Sequence, residues 1–453
     1  MHHRPARVRG LYTPAKSACA DYTAKGYTDR ADTRVRPYIC LWNFPNRLLG
    51  SYCVWNALGQ PFVLFVMTLN QPIELESLDG APTELDPQRQ ALAVEYAGVR
   101  RRLFFLEMTF TLGVALLLLA AGWSVGVRIW AEGVWNDPWA VAALYGIALG
   151  AGYTLLSLPL DYYSSFLLPH KYGLSTQSVG GWVLDNVKSL ALAALFGLGG
   201  IELLYWLLRT FPEWWWAIMA ALAWLFMVAL AQLAPVLLMP IFYKFSPLDD
   251  EELTQRLTRL AEQAGTNVQG VYVMDMSSRT TAANAMLTGL GRTRRIILGD
   301  TLLKGYTHDE IETVLAHELA HHVHNDLLKG LAAEAAVITA GMWVASRVVE
   351  WGVPFFGLRG IDDVAGLPLF GLAMAVFGLI SMPAANFLSR QMERAADLYA
   401  LRTTGKSQAF RSVMLKLAGQ NLSEVDPPAW VRVLFYSHPP VSERIKAAES
   451  NEL

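Results

Sequence analysis

The chain has 453 residues, of which 53% are hydrophobic and only 17% are charged. This composition is too apolar for an ordinary soluble enzyme. The formal net charge of -2 argues against a nucleic-acid partner. From the apolar composition we expect a protein that is embedded in a lipid bilayer.

Residues 1–66 differ in character from the rest of the chain. They have scattered arginines and no clear periodicity, and all three cysteines lie there: Cys19, Cys40 and Cys53. Met67 opens a polar, acidic stretch that leads into an arginine cluster. We expect translation to start at Met67, with residues 67–103 as a cytoplasmic N-terminal segment. A genuine disordered extension is the alternative, which the intact mass of the native protein would decide.

Six apolar runs are long enough to span a bilayer, which needs about 20 residues. They are 108–127, 139–160, 189–208, 214–238, 331–349 and 364–387. A seventh run, 48–69, is weaker because polar residues and a proline interrupt it. The first four spans make up a region 104–243 with a structured loop at 161–187, and the last two lie in 329–389.

The placement of basic residues predicts the orientation of these spans. Arg100, Arg101 and Arg102 precede the first span, and Lys171 and Lys188 follow the second, whereas the short loops 131–138 and 210–213 carry no lysine or arginine. Both termini and the segment between the fourth and fifth spans are therefore expected on the cytoplasmic side.

A soluble region is predicted at 244–328. Its first helix has an apolar face of leucines and ends at Gly265. Three strands are predicted at 270–275, 282–287 and 294–298. An extended peptide could lie along the edge of such a sheet, and Asn284 would then hold the substrate backbone. On this residue alone, an ordinary edge-strand asparagine is the favoured alternative.

The segment THDEIETVLAHELAHHVHND carries the candidate chemistry. Thr307 and Glu310 form a capping box that predicts a helix start. Helical spacing places His317 and His321 on one face, where both imidazoles can reach one Zn²⁺ ion, and Glu318 lies beside them. This pattern is typical of hydrolysis in which a metal acidifies water and a carboxylate takes the water's proton.

A third metal ligand is expected further along the chain. The metzincin pattern is excluded because positions 324 and 327 are histidine and leucine rather than glycine and histidine. An intramembrane site-two protease is disfavoured because the Asp-Gly pair lies far upstream, at 79–80. No cysteine lies near the motif, so a cysteine zinc site is not implied.

Glu393, in NFLSRQMERAADLYA, is the best candidate for that ligand, and Asp397 could hydrogen-bond a zinc-binding histidine. Glu334 and Glu350 compete for the role. Alternatively, Glu393 and Asp397 belong to a solvated helix face paired with Arg390 and Arg394. Three glutamates within or at the edge of predicted spans indicate either hydrogen-bonded carboxyls or a water-filled cavity: Glu107, Glu202 and Glu334.

Six ordered motifs between residues 156 and 445 give a more specific resemblance. They are LPLDYYSSFLLPHKYGLSTQS, APVLLMPIFYKFSPL, SSRTTAANAMLTGLGRTRRIILGDTLL, HELAHHVHND, NFLSRQMERAADLYA and YSHPPVSERI. The chain resembles the CAAX prenyl protease 1 family of integral-membrane zinc metalloendopeptidases, related to bacterial heat-shock membrane proteases. Two departures are Ala320 in place of the family's glycine, and six spans instead of seven if Met67 is the start.

The resemblance implies a role for each site residue. The zinc ligands would be His317, His321 and Glu393, with Glu318 as general base. His438 would stabilise the oxyanion and Asn284 would contact the substrate backbone. Asp397 and Arg390 would support these groups.

The expected fold is an α-helical multi-pass membrane protein. About six transmembrane helices would surround a chamber, with an α+β zinc metallopeptidase domain on the cytoplasmic side. Residues 390–453 would form the third-ligand helix and the C-terminal part of that domain.

The expected function is zinc-dependent cleavage of peptide bonds in membrane-associated, misfolded or CAAX-type proteins, in a bacterial plasma (inner) membrane. The alternative is a catalytically silent scaffold or transporter that retains a zinc site.

Overall fold

The structure, a computed structural model, describes residues 84–289 and 294–450. The predicted extension 1–66, the start at Met67, the weak span 48–69 and the cysteines lie outside these residues. The helices are α1 Pro87–Ala120, α2 Trp123–Val134, α3 Pro138–Asp161, α4 Leu168–Lys171, α5 Val179–Thr210, α6 Trp215–Leu233, α7 Met239–Phe242, α8 Glu251–Gln263, α9 Asp300–Gly305, α10 His308–Val323, α11 Asp326–Phe355, α12 Leu367–Thr404, α13 Ser407–Gln420, α14 Ala429–Phe435 and α15 Val441–Glu449. The strands are β1 Phe245–Pro247, β2 Val271–Met274, β3 Ala285–Thr288 and β4 Arg295–Gly299.

Six helical segments of the described chain are long and apolar enough to cross a membrane, which confirms the predicted multi-pass helical fold. They are Pro87–Ala120, Pro138–Lys171, Val179–Thr210, Trp215–Leu233, Asp326–Phe355 and Val364–Thr404. The chamber between them stays a prediction.

Two predicted boundaries in the membrane region are wrong. The span predicted at 108–127 ends at Ala120, because Gly122 adopts a left-handed φ of 69° and a separate helix, α2, begins after it. The loop predicted at 161–187 is mostly helical: α3 continues past Pro159 through π-helical turns at Tyr162–Leu167 into α4, and α5 begins at Val179. A proline does not end a membrane helix where neighbouring groups satisfy the freed backbone.

Helix α12 joins the membrane to the site. Its 38 residues include both the sixth predicted span and the predicted third-ligand helix, without a break near residue 389. Ile380 is 72% exposed on its apolar part, whereas Glu393 on its polar part is 1% exposed. Helix α12 therefore faces lipid along its apolar part and the interior of the peptidase region along its polar part.

The sheet has the order β1-β2-β4-β3 and places β3 at an edge. Strands β2 and β4 are parallel, with Val271 opposite Ile296, and β3 is antiparallel to β4, with Ala285 opposite Leu298. The three predicted strands are present, the first shorter at both ends and the other two with bounds displaced toward the C-terminus. The sequence missed β1, whose three residues are too few for a periodic pattern.

The helix that carries the two candidate histidines has a fixed N-terminus. Thr307 and Glu310 form the predicted capping box. The Glu310 carboxylate also accepts hydrogen bonds from the Ser412 hydroxyl at 2.5 Å and the Lys416 ammonium at 2.9 Å, both from α13. Because these groups are buried, α13 holds the start of α10 in place.

Candidate metal centre

Three potential ligand side chains converge where α10 packs against α12. The His317 Nε2 lies 3.1 Å from the Glu393 Oε2, and the His321 Nε2 lies 3.6 Å from the Glu393 Oε1. One ligand atom from each residue lies within 4.8 Å of the other two, and this is the one such cluster in the described part of the chain. The structure thus brings together the three residues that the sequence singled out.

The alternatives for these residues do not match the structure. Glu393 is 1% and Arg390 is 5% exposed, so they do not form a solvated helix face. Among the described residues, the cluster includes neither Glu334 nor Glu350, and the Glu350 carboxylate instead accepts a hydrogen bond from Arg347 at 2.8 Å.

A carboxylate lies behind each histidine. The Asp397 Oδ1 is 3.0 Å from the His317 Nδ1, as the sequence predicted for that residue. The Asp326 Oδ2 is 3.1 Å from the His321 Nδ1, and the sequence reasoning missed this contact. Such carboxylates fix the ring orientation of a ligating histidine and leave its other nitrogen for the metal.

Basic side chains neutralise these outer carboxylates. Arg444 donates from Nε and from a terminal nitrogen to Asp397, at 2.8 and 2.6 Å, and Lys329 donates to Asp326 at 2.9 Å. Arg444 belongs to the YSHPPVSERI motif, but nothing in the sequence indicated its partner. The position of Asp326, directly after the end of the histidine helix, was the available signal for its role.

The site fits a cation. The His321 Nε2 is buried and has no hydrogen-bond partner among the described residues, and the buried Glu393 Oε2 faces the His317 Nε2 at 3.1 Å. Burial by itself lowers the pKa of His317, but the adjacent carboxylates of Asp397 and Glu393 raise it to about 10. The same two carboxylates would also attract a divalent metal, which competes with protons for the His317 nitrogen. Two imidazoles and a carboxylate are a typical zinc ligand set.

Two further candidate residues lie beside the cluster. Glu318 follows His317 in α10 and is 8% exposed. The His438 Nε2 lies 3.3 Å from the Glu393 Oε1, and its Nδ1 lies 2.9 Å from the Ser437 hydroxyl. Partial burial lowers the pKa of His438 against the attraction of Glu393, so the neutral ring can donate one N–H.

Arg390 supports His438 rather than the cluster. It donates hydrogen bonds to the carbonyl oxygens of Arg432, at 3.0 Å, and of Tyr436. Both carbonyls lie in the segment that leads to His438. Arg390 therefore fixes the path of the chain toward that histidine.

Asn284 lies directly before β3. Its carbonyl oxygen accepts a hydrogen bond from the Gly299 N–H at 2.8 Å, which extends the ladder between β3 and β4 by one pair. Its side-chain oxygen accepts from the Ala285 N–H at 2.9 Å. The residue thus lies at an edge strand, and β3 is adjacent to α10.

The six membrane-length helices and the buried cluster on an HExxH helix define the class of protein: a multi-pass membrane metalloprotease. Two family models match almost the whole described chain. One, described as peptidase family M48, matches residues 247–452, and the other, described as CAAX prenyl protease N-terminal, five membrane helices, matches residues 81–244.

Individual relatives agree with these matches. A Bacillus subtilis (strain 168) protein described as the uncharacterized metalloprotease YhfN is 32% identical over 81% of this chain and 87% of its own length. CAAX prenyl protease 1 of Saccharomyces cerevisiae is 31% identical over 65% of this chain and 69% of its own. The chain belongs to peptidase family M48.

The fold is also similar to a solved structure. The crystal structure of S. mikatae Ste24p matches with a TM-score of 0.74, covering 82% of this chain and 92% of that one, at 24% sequence identity.

Proposed function

We propose that the protein is a zinc-dependent endopeptidase with one Zn²⁺ per chain, held by His317, His321 and Glu393. The observation that carries this proposal is that one ligand atom from each of these three residues lies within 4.8 Å of the other two. When bound, zinc polarises the scissile carbonyl and acidifies water.

The residues around the cluster divide the remaining chemistry between them. Glu318 takes a proton from the attacking water and delivers it to the leaving amine. His438 donates an N–H to the oxygen of the scissile carbonyl as negative charge develops there. Asp397 and Asp326 orient the two histidines, and Arg390 positions His438 through the backbone before it.

The substrate is proposed to bind as an extended peptide along β3. The edge position of this strand and its place next to α10 support this arrangement, with Asn284 contacting the substrate backbone. The cluster includes Glu393, on the C-terminal part of the helix that forms the sixth membrane-length segment. A site attached to the membrane in this way supports membrane-associated, misfolded or CAAX-type proteins as the substrates. The placement of basic residues supports an active site on the cytoplasmic side of the membrane, which we propose to be a bacterial inner membrane.

The test compares wild type with Glu318→Gln, purified in detergent, for zinc content and for cleavage of an unfolded membrane protein. We expect the variant to retain zinc and to lose activity by about 10²–10⁴-fold, which is the usual contribution of a general base. Glu312→Gln is the matched control, because it makes the same change on the same helix, and we expect it to cleave like wild type.

Each other outcome has a clear meaning. If Glu318→Gln cleaves as fast as wild type, the assignment of the base is wrong. If wild type binds zinc but cuts nothing in a broad panel of substrates, the protein acts as a scaffold or transporter. Cleavage of prenylated peptides alone would contradict a role in the removal of misfolded proteins.

A further inference from the structure

Helix α14 has an unusual surface for a peptidase region. Its Trp430 is 53% and its Val433 is 47% exposed. Within the described residues of 244–325 and 405–450, the large apolar side chains that are exposed are these two and Val323. Polar side chains cover most of the remaining surface of these segments, so the exposed face of α14 needs a covering partner.

Aromatic contacts connect α14 to the first membrane span. The Phe435 ring lies 5.0 Å from the Phe104 ring and 5.8 Å from the Phe105 ring of α1. The Trp430 ring lies 6.2 Å from the Phe435 ring. Helix α14 therefore lies at the level where the apolar part of α1 begins.

A second contact attaches α14 to α12, the helix of the last membrane-length segment. The Asn386 side chain of α12 donates a hydrogen bond to the Leu434 carbonyl at 2.6 Å. The next residue of α12, Phe387, is 58% exposed. Two membrane-spanning helices thus place α14 beside their own exposed apolar side chains.

We call the exposed apolar side chains on α14 and near its contacts with α1 and α12 the α14 patch. It consists of Phe105, Leu106, Phe387, Leu388, Trp430 and Val433, all of them exposed. On a membrane-spanning helix, exposed apolar side chains contact acyl chains, so the patch continues the lipid-facing surface of α1 and α12. Arg102 is exposed one helical turn before Phe105, where its charge can reach lipid headgroups.

We propose that α14 is an interfacial helix, with Trp430 and Val433 inserted among the lipids of the leaflet next to the peptidase region. Tryptophan is enriched at this depth in membrane proteins. The occupant of the patch is bilayer lipid, because the patch continues an existing lipid-facing surface and carries a cation at its outer border.

This placement affects the active site and rests on its proposed function. His438 is the third residue after α14, and Arg390 holds the carbonyls of Arg432 and Tyr436 on either side of the helix end. The Arg432 guanidinium also donates to Glu443 at 2.7 Å, which ties α14 to α15. A helix seated in the bilayer thereby holds His438 close to the membrane surface, where an anchored substrate presents its peptide bonds.

The first experiment measures depth and does not depend on activity. A fluorophore is attached to Val433→Cys, or to Glu262→Cys on the exposed face of α8 as control, in a chain without Cys19, Cys40 and Cys53. The protein is reconstituted in phosphatidylcholine–phosphatidylglycerol vesicles. We expect lipid-attached spin labels to quench the label at position 433 and aqueous iodide to quench the control label.

Two results would overturn the proposal. One is quenching of the label at position 433 by iodide but not by lipid-attached quenchers. The other is protection from both quenchers that is lost when the protein is diluted in lipid, since a second copy would then cover the patch. Because neither result involves catalysis, the proposed function and this inference can fail separately.

The second experiment compares Trp430→Ser with the conservative Trp430→Phe. We expect the serine variant to keep its zinc and to raise KM severalfold for a lipid-anchored peptide, with kcat/KM unchanged for the same peptide without an anchor. The phenylalanine variant should restore the wild-type KM. An equal loss on both peptides would show that Trp430 acts only through the position of His438, and would contradict seating in the bilayer.

Discussion

Buried carboxylates lie at both ends of α12, about 40 Å apart along the helix, and their surroundings differ. Just before the helix begins, Asp363 uses both carboxylate oxygens: Oδ1 accepts from the Ala365 N–H at 3.0 Å, and Oδ2 accepts from the Arg359 N–H at 2.9 Å and from Arg128. Near the other end, Glu393 faces three imidazoles, and its Oε2 has no hydrogen-bond partner among the described residues.

The difference separates a structural network from a site. Burial of a charged group is costly, and at Asp363 hydrogen bonds from groups of the chain itself to both carboxylate oxygens offset that cost. The surroundings of Glu393 offset it only when a proton or a cation is added. We therefore expect changes at Asp363 to affect folding, and changes at Glu393 to affect metal binding.

The largest expected effect is on metal affinity. Loss of an outer hydrogen-bond partner alone weakens zinc binding by about 10–100-fold, so Glu393→Gln, which removes a charged ligand, should weaken it by more than about 100-fold. Competition with a chelator measures this affinity. Glu334→Gln, at the competing candidate ligand, should bind zinc like wild type. If both variants lost zinc affinity equally, Glu393 would not be distinguished as the metal ligand.

The next effect is on stability. Asp363→Asn leaves the buried charge of Arg128 without its counter-ion, which should cost about 3–5 kcal/mol. The thermal unfolding midpoint in detergent measures the change. The folded fraction should retain zinc. As control, Glu132→Gln breaks the exposed contact between Glu132 and Arg359 and should lower the midpoint much less. A loss of zinc from Asp363→Asn would show that the two ends of α12 are coupled.

The smallest effect concerns charges on the peptidase surface. Hydrogen bonds from Lys406 and Arg256 lower the pKa of Asp309. Burial alone would raise the pKa of Glu312, but hydrogen bonds from the same two cations lower it. Their contribution to stability is complete above the unfolded pKa of about 4 and is lost as the pH falls through the lower folded values.

Removal of these carboxylates should therefore flatten the acid side of the stability profile. The double variant Asp309→Asn with Glu312→Gln should be less stable than wild type at pH 7 by about 1 kcal/mol, because ion pairs that solvent can reach contribute little. The difference should shrink as the pH is lowered from 6 toward 3. Unfolding midpoints across this range test the prediction, and a difference that grows toward low pH would contradict it.

The local features of the chain could be predicted from the sequence because they depend on neighbours. The capping box at Thr307 and Glu310, the shared helical face of His317 and His321, and the six apolar spans all follow from spacing and composition. The motifs also led to Glu393 and Asp397, which the structure places at the two histidines.

Only the tertiary structure decided the contacts between residues that lie far apart in the chain. Arg444 pairs with Asp397 across 47 residues, and Arg128 pairs with Asp363 across 235. The sequence predicted a loop after Pro159, but the helix continues from α3 into α4. Packing against neighbouring groups compensates for the one backbone hydrogen bond that the proline removes. The sequence thus determined which side chains are the candidates for the chemistry. Packing decided which buried charges are paired with groups of the chain itself and which lie together where a metal could bind.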